Sequence, residues 1–303
     1  LLLKENGKTG EISIGGFYRR RALRIFPAFY AYFALALCIE LVRGREVPWQ
    51  HALSALLYYS NYFGALVHPP PSFVSHTWSL AVEEQFYLLW PCIFWILRKD
   101  SRRLAWITAS IIGCVWIHRA LLHFAVGVHQ GYIYRAFDTR FDHLLVGCLL
   151  AILLHGRLLN RFWTAVCSTR IFAVFSIALL AFSIRLGIDW TMYRNVIGFA
   201  IEPVLVAIAL AQLLSWRTSM PFSWLDLAPV AYLGRISYSL YLYQELTLYT
   251  ARRLTAEYPV IVQFGFGVAA TIAMASGSYF LVERPFLKLK DRTGKHRRLA
   301  AAA

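Results

Sequence analysis

The run His76-Thr77-Trp78-Ser79-Leu80-Ala81-Val82-Glu83-Glu84-Gln85-Phe86-Tyr87-Leu88-Leu89-Trp90-Pro91 gathers an imidazole, two carboxylates, a carboxamide and hydroxyls into otherwise apolar sequence. If it is helical from about Thr77, Glu83 follows His76 by about two turns on the same face. A carboxylate so placed can orient and charge the imidazole, or take a proton itself, which is general acid–base chemistry. The same spacing also suits a helix start, where acids favour the positive dipole end and His76 sits at an interface. Arg21 and Arg24 are three apart, and so share one face just ahead of Ile25-Phe26. Their planar guanidinium forks match phosphate oxygens. The plainer alternative is a basic anchor against anionic lipid headgroups. Arg140 and Asp142, with Asp138 one turn before Asp142, can neutralise each other and pin two helices, or offer hydrogen bonds to a sugar hydroxyl. Arg235 and Glu283 are a further candidate pair. His51, His118, His123 and His155 show no metal-ligand spacing and the five cysteines no CxxC pair, so neither a metal site nor a disulfide framework is expected. The cysteines read as small buried residues.

These groups need elements to hold them, and composition says which kind. Of 303 residues 58% are hydrophobic and 16% charged, and the mean hydropathy is +0.51. A soluble domain carries about 25% charged residues, so a water-soluble enzyme of ordinary build is excluded. Lys+Arg 31 against Asp+Glu 16 gives a formal charge of +15. Nucleic acid is not the expected partner, because the cations cluster between long apolar stretches. That pattern fits a polytopic membrane protein whose loops face anionic lipid.

A hydrocarbon core about 30 Å thick takes about 20 residues of helix. On that measure eight spans are expected, at roughly 25–42, 78–97, 105–124, 140–155, 171–186, 195–214, 232–250 and 260–282. The apolar stretch 49–67 is broken by Ser54, Ser60 and Asn61 and followed by three prolines, so it reads as half-buried or interfacial. With the N-terminus in the cytoplasm, 22 Lys and Arg fall inside and 8 outside, while Arg119 lies within a span. The positive-inside rule therefore puts both ends of this chain in the cytoplasm. Trp49, Trp78, Trp95, Trp106, Trp163, Trp190, Trp216 and Trp224 fall at or just beyond span ends, where an amphipathic ring prefers to sit. The expected organisation is one transmembrane domain over 1–290 and a basic cytoplasmic tail over 291–303.

The run His76–Pro91 resembles the WSLxxExxFYLxxP-like signature of the acyltransferase 3 family of integral-membrane acyltransferases. Four more segments agree, in the family's order. Phe17-Tyr18-Arg19-Arg20-Arg21-Ala22-Leu23-Arg24-Ile25-Phe26-Pro27-Ala28 is similar to the basic entry to its third helix, with the RxxR pair Arg21 and Arg24. Thr139-Arg140-Phe141-Asp142-His143-Leu144-Leu145-Val146-Gly147 is similar to its RxDxLLxG segment. Leu233 to Tyr243 and Val282-Glu283-Arg284-Pro285-Phe286 match its last two signatures. Two departures stand out. The family begins with two helices, the first carrying an essential Arg and His, and Leu1 matches a point just after them. The family often ends the SYSLYL segment with a Trp-His-like pair, where this chain has Tyr243-Gln244.

The resemblance implies an all-α fold of about ten helices when complete, with about eight here, in a bacterial cytoplasmic (inner) membrane. It implies transfer of an acyl group, most often acetyl, from cytoplasmic acyl-CoA to a hydroxyl of a cell-surface or lipid-linked carbohydrate. Acyl-CoA enters as donor substrate and no cofactor is held. Arg21 and Arg24 then become the acyl-CoA-binding candidates, Glu83 and His76 the catalytic ones, and Trp78, Ser79, Arg140 and Asp142 the substrate-binding ones, with membrane lipids and the glycan acceptor as partners. The upstream His is the first choice for base, with Glu83 as its orienting or protonating partner. A transporter or flippase is the competing class, although the paired inverted repeats usual there are not visible.

Overall fold

The computed structural model describes residues 2–216 and 222–289. Along the chain these form α1 (Leu2–Thr9), α2 (Ile14–Val42), α3 (Trp49–Leu56), α4 (Ser60–Leu66), α5 (Trp78–Leu97), α6 (Ser101–Leu121), α7 (Gln130–Arg135) and α8 (Phe137–Arg140). There follow α9 (Asp142–His155), α10 (Asn160–Val166), α11 (Arg170–Asp189), α12 (Phe199–Ser215), α13 (Ala228–Arg235), α14 (Ser237–Leu254) and α15 (Val260–Ser278). Among the described residues there is no strand, and the all-α polytopic class holds. The expected tail at 291–303 lies outside the described residues.

Side-chain caps start two of the long helices. Ser13 Oγ accepts the Gly16 N–H at 3.1 Å to open α2. Asp100 Oδ1 accepts the N–H groups of Arg102 and Arg103 at 2.9 and 3.0 Å to open α6. Prolines inside α2, α5 and α12 (Pro27, Pro91 and Pro203) interrupt the backbone ladder, and single π turns follow α6, precede α12 and extend α15.

Among the described residues, six stretches of helix are long and apolar enough to cross a membrane: Ile14–Val42, Ser75–Leu97, Ser101–Val126, Ile171–Asp189, Tyr193–Ser215 and Val260–Leu289. A seventh results if α9 and α10, bent by 107° at a short break, count as one. Two of the expected eight fall short of that measure on their own. The stretch 140–155 yields α9 of 14 residues, about 21 Å at 1.5 Å per residue, after which the chain turns sharply. The stretch 232–250 is broken at Ile236 between α13 and α14, and α14 carries Gln244, Glu245, Arg252 and Arg253, which make it too polar to count by apolarity alone. The stretch 49–67 forms α3 and α4, of 8 and 7 residues, too short to cross.

The chain divides into two compact units. Unit 1 comprises Leu1–Ile12, Leu57–Pro70 and Trp78–Trp224. In it α9 packs against α6 and α12, α11 against α12, and α4 against α7, with Leu104, Ile112, Leu145, Ile152 and Phe199 buried between them. Unit 2 comprises Ser13–Leu56, Pro71–Thr77 and Leu225–Ala303. Its main feature is α14 lying along α15, with α2 packed on α14 and on the π turn Tyr279–Glu283. The α14–α15 contact is close because Gly267 has no side chain: a Cβ there would stand 2.7 Å from Leu248 Cδ2. Thr247 and Thr271 join hydroxyls across it at 2.6 Å.

Large apolar side chains such as Leu88, Ile96, Trp106, Ile171, Val260 and Leu281 point outward. In water such a surface would aggregate, but in a bilayer it meets lipid tails. The cysteines join it. Cys38, Cys92 and Cys114 are exposed and Cys148 and Cys167 half-buried, all as free thiols, which corrects the expectation that they pack inside.

Candidate functional site

In unit 2, His76 sits in the 3₁₀ turn Ser75–Thr77. Its Nδ1 lies 2.7 Å from Glu245 Oε2 on α14, a close polar contact. Two hydroxyls clamp the backbone of this segment: Tyr241 donates to the His76 carbonyl at 2.6 Å and Tyr32 to the Phe73 carbonyl at 2.5 Å. Tyr32 and Tyr241 also set ring edges against the imidazole at 5.5 and 5.4 Å, and Tyr243 meets Tyr32 at 5.3 Å. An imidazole so enclosed has one orientation, with Nε2 buried and without a hydrogen-bond partner among the described residues. Glu245 also lines a cavity of about 190 Å³ with Glu40, Arg43, Arg45, Ser72 and Phe73.

The expected partner of His76 was Glu83. The structure gives Nδ1 to Glu245 instead, while Glu83, in unit 1, accepts the Tyr87 hydroxyl one turn on at 3.3 Å. Glu245 escaped the sequence reading, although an acid inside a predicted span is itself a signal.

Arg21 and Arg24 stand in the first turns of α2, Arg21 half-buried and Arg24 exposed within electrostatic reach of Glu283. Glu283 also receives the Ser239 hydroxyl, and Arg235 lies exposed over the Tyr232 ring, so the candidate Arg235–Glu283 pair gives way to these partners. Counting along α2, Tyr32 lies about 12 Å beyond Arg24 and about 16 Å beyond Arg21 at 1.5 Å per residue.

Unit 1 holds the other predicted group. Asp142 does pin helices, but through Arg119 of α6, whose Nη2 reaches Asp142 Oδ2 at 3.0 Å and whose Nη1 reaches the Thr139 carbonyl at 2.7 Å. Trp116 Nε1 donates to the same Oδ2 at 3.0 Å. Both members of the ion pair are fully buried. Arg140, the expected partner, stacks on the Phe199 ring at 4.0 Å and lies 5.4 Å from the ring of Tyr134. Tyr134 in turn meets Trp78 at 5.0 Å, so Trp78, Arg140 and Asp142 belong to one neighbourhood, with Ser79 half-buried in the first turn of α5. Asp138 accepts hydroxyls from Tyr62 at 3.0 Å and Tyr132 at 3.2 Å and pairs with His118 at 2.9 Å. Burial, and then the Asp138 charge, raise both phenols above their ordinary pKa, so they stay protonated and donating.

The family profile described as an acyltransferase domain, that of acyltransferase 3, matches residues 7–281. The O-acetyltransferase OatA of Staphylococcus aureus (strain NCTC 8325 / PS 47) is 30% identical over 311 residues, covering 95% of this chain and 50% of that protein. The putative peptidoglycan O-acetyltransferase YrhL of Bacillus subtilis (strain 168) is 28% identical over 316 residues, covering 94% of this chain and 47% of that protein. The chain thus spans about half the length of the curated relatives it matches. No solved structure matches it. With the profile match running through the basic start of α2, the His76 segment and the Arg140–Asp142 segment, the chain belongs to the acyltransferase 3 family of membrane proteins.

Proposed function

We propose that the protein transfers an acyl group, acetyl in the first instance, from acyl-CoA to a hydroxyl of a cell-surface or lipid-linked carbohydrate in a bacterial cytoplasmic membrane. The observation that carries this reading lies within unit 2. A phosphate-suited pair, Arg21 and Arg24, precedes by about 12–16 Å of helix the residue Tyr32 that packs on His76. An extended pantetheine arm covers that distance, so CoA phosphates on the guanidiniums bring the thioester to the imidazole.

There His76 Nε2 takes the proton of the acceptor hydroxyl as its oxygen attacks the thioester carbonyl carbon. The new C–O bond forms, the C–S bond breaks, and the departing thiolate recovers the proton from His76. Glu245 holds Nδ1 and stabilises the transient imidazolium. Glu83, in unit 1, accepts the Tyr87 hydroxyl within α5. Within unit 1, the expected acceptor-binding residues Trp78, Ser79 and Arg140 offer a ring face, a hydroxyl and a guanidinium stacked on Phe199, beside the buried Asp142. The relatives' names, O-acetyltransferase and putative peptidoglycan O-acetyltransferase, support acetyl as the group and a glycan as the acceptor.

The test uses the full-length protein in lipid nanodiscs, labelled acetyl-CoA and a chito-oligosaccharide acceptor. Arg21→Ala with Arg24→Ala should raise the KM for acetyl-CoA about ten- to hundredfold, because a charge-assisted contact is worth about 1.5–3 kcal/mol. Glu245→Gln should leave that KM in place and lower kcat at least tenfold. Normal kinetics in both variants would overturn the reading.

A further inference from the structure

Gly44 ends α2 in the left-handed conformation, at φ +63°, and the backbone reverses there with the Arg45 N–H on the Glu40 carbonyl at 3.1 Å. The turn folds the Arg45 side chain back along α2, where Nη1 donates to the two Glu40 carboxylate oxygens at 3.2 and 3.3 Å. The same guanidinium stands 5.6 Å from the centre of the Tyr249 ring on α14. Arg253, one turn further along α14, stands 5.2 Å from that ring. Arg43, Arg45 and Arg253 line one open cavity of about 360 Å³ within unit 2, together with Thr250 and Leu254.

Three guanidiniums here face one carboxylate. Among the described residues, the only ion pair that any of the three forms is Arg45 with Glu40. Glu46 and Glu257, close to them in the chain, are in no ion pair among the described residues, and Glu245 of the adjoining cavity is taken by His76 at 2.7 Å. Arg43 caps the C-terminal end of α2 and Arg253 lies in the last turn of α14, where a cation complements the helix dipole. That accounts for each cation singly and not for their gathering, which like-charge repulsion opposes. All three also belong to the eight cations that the charge count puts on the sparse side of the membrane. A surplus of two positive charges fits a group with two negative ones, and guanidinium forks fit phosphate oxygens.

We propose that Arg43, Arg45 and Arg253 form a binding site for a phosphate group of charge about −2, a diphosphate ester or a phosphate monoester. The neighbouring cavity of about 190 Å³ shares Arg43 and Arg45 and reaches Glu245, so whatever the phosphate carries lies toward His76. The site rests on the reading above and deepens its acceptor side. The phosphate is one that joins sugar to lipid in a lipid-linked acceptor, or a free phosphate of the same chemistry.

Calorimetric titration of sodium pyrophosphate into the full-length protein in phosphatidylcholine nanodiscs tests it, with sodium acetate at equal ionic strength as control. Arg21 and Arg24 suit the same ion, so every titration is run on the Arg21→Ala, Arg24→Ala protein, and its outcome is independent of the acetyl-CoA kinetics. Pyrophosphate should bind saturably and acetate should not. Adding Arg43→Gln and Arg253→Gln should weaken that binding at least tenfold. Both positions are exposed, so the unfolding temperature should stay in place. Arg43→Lys with Arg253→Lys should retain part of the affinity, because the charge remains and the fork is lost. Farnesyl diphosphate in the nanodisc separates the sources: displacement of pyrophosphate supports a lipid-borne phosphate, and no displacement a free one. Absence of saturable binding, equal binding of acetate, or unchanged binding in the glutamine variant would overturn the proposal.

Discussion

Arg119 and Asp142 are each fully buried, so removing either leaves a bare charge in a low-dielectric interior. Asp142→Ala should destabilise the protein by about 3–5 kcal/mol, read as thermal unfolding in detergent. Replacing both members, Arg119→Met with Asp142→Leu, should return stability close to wild type, because an apolar pair needs no compensation. The sequence reading named Asp142 but gave it Arg140, two positions away, and named His76 but gave it Glu83. In both cases the partner that forms comes from a different helix: Arg119 on α6, Glu245 on α14. Spacing reports which side chains share a face of one helix, and is silent on which helices cross. Arg119 and Glu245 were visible only as charges inside apolar stretches, a sign of importance without an address.

Among the elements, α14 and α15 depend on each other most. A side chain at Gly267 would meet Leu248, whose flexible end can yield a little but whose Cα lies only 3.7 Å from the added Cβ. Gly267→Val should therefore cost about 1–3 kcal/mol by overpacking, measured as lowered unfolding temperature. It should also reduce acyl transfer, because α14 carries Glu245 to His76. The six qualifying spans were legible as long apolar runs. The bend of 107° after α9 and the break at Ile236 were not, since an average over an apolar window does not register a change of direction.

For the whole chain, the charge imbalance of 22 to 8 predicts orientation. We expect reporters fused at residues 100 and 288 to be cytoplasmic and one at residue 256, between α14 and α15, to be external. A cytoplasmic signal at residue 256 would mean that α14 does not cross. Inversion of all three signals together would mean that the 49–67 stretch crosses. The charge count and the Trp positions made membrane residence plain from sequence, whereas the division into two compact units had no counterpart in composition.

The polarity of α14 has a bearing on biogenesis. Its Ser239, Glu245 and Thr247 reach Glu283, His76 and Thr271, and of the three only Thr247 also bonds carbonyls within α14, those of Tyr243 and Gln244. The segment leaves the ribosome before α15 has been made, at a moment when two of those three partners do not yet exist. A helix in that position cannot partition into lipid by its own apolarity. It has to wait at the translocon or the interface until Val260–Leu289 emerges, and then enter as one half of a hairpin. Synthesis of residues 260–289 thus decides whether the carboxylate that faces His76 reaches the membrane interior at all.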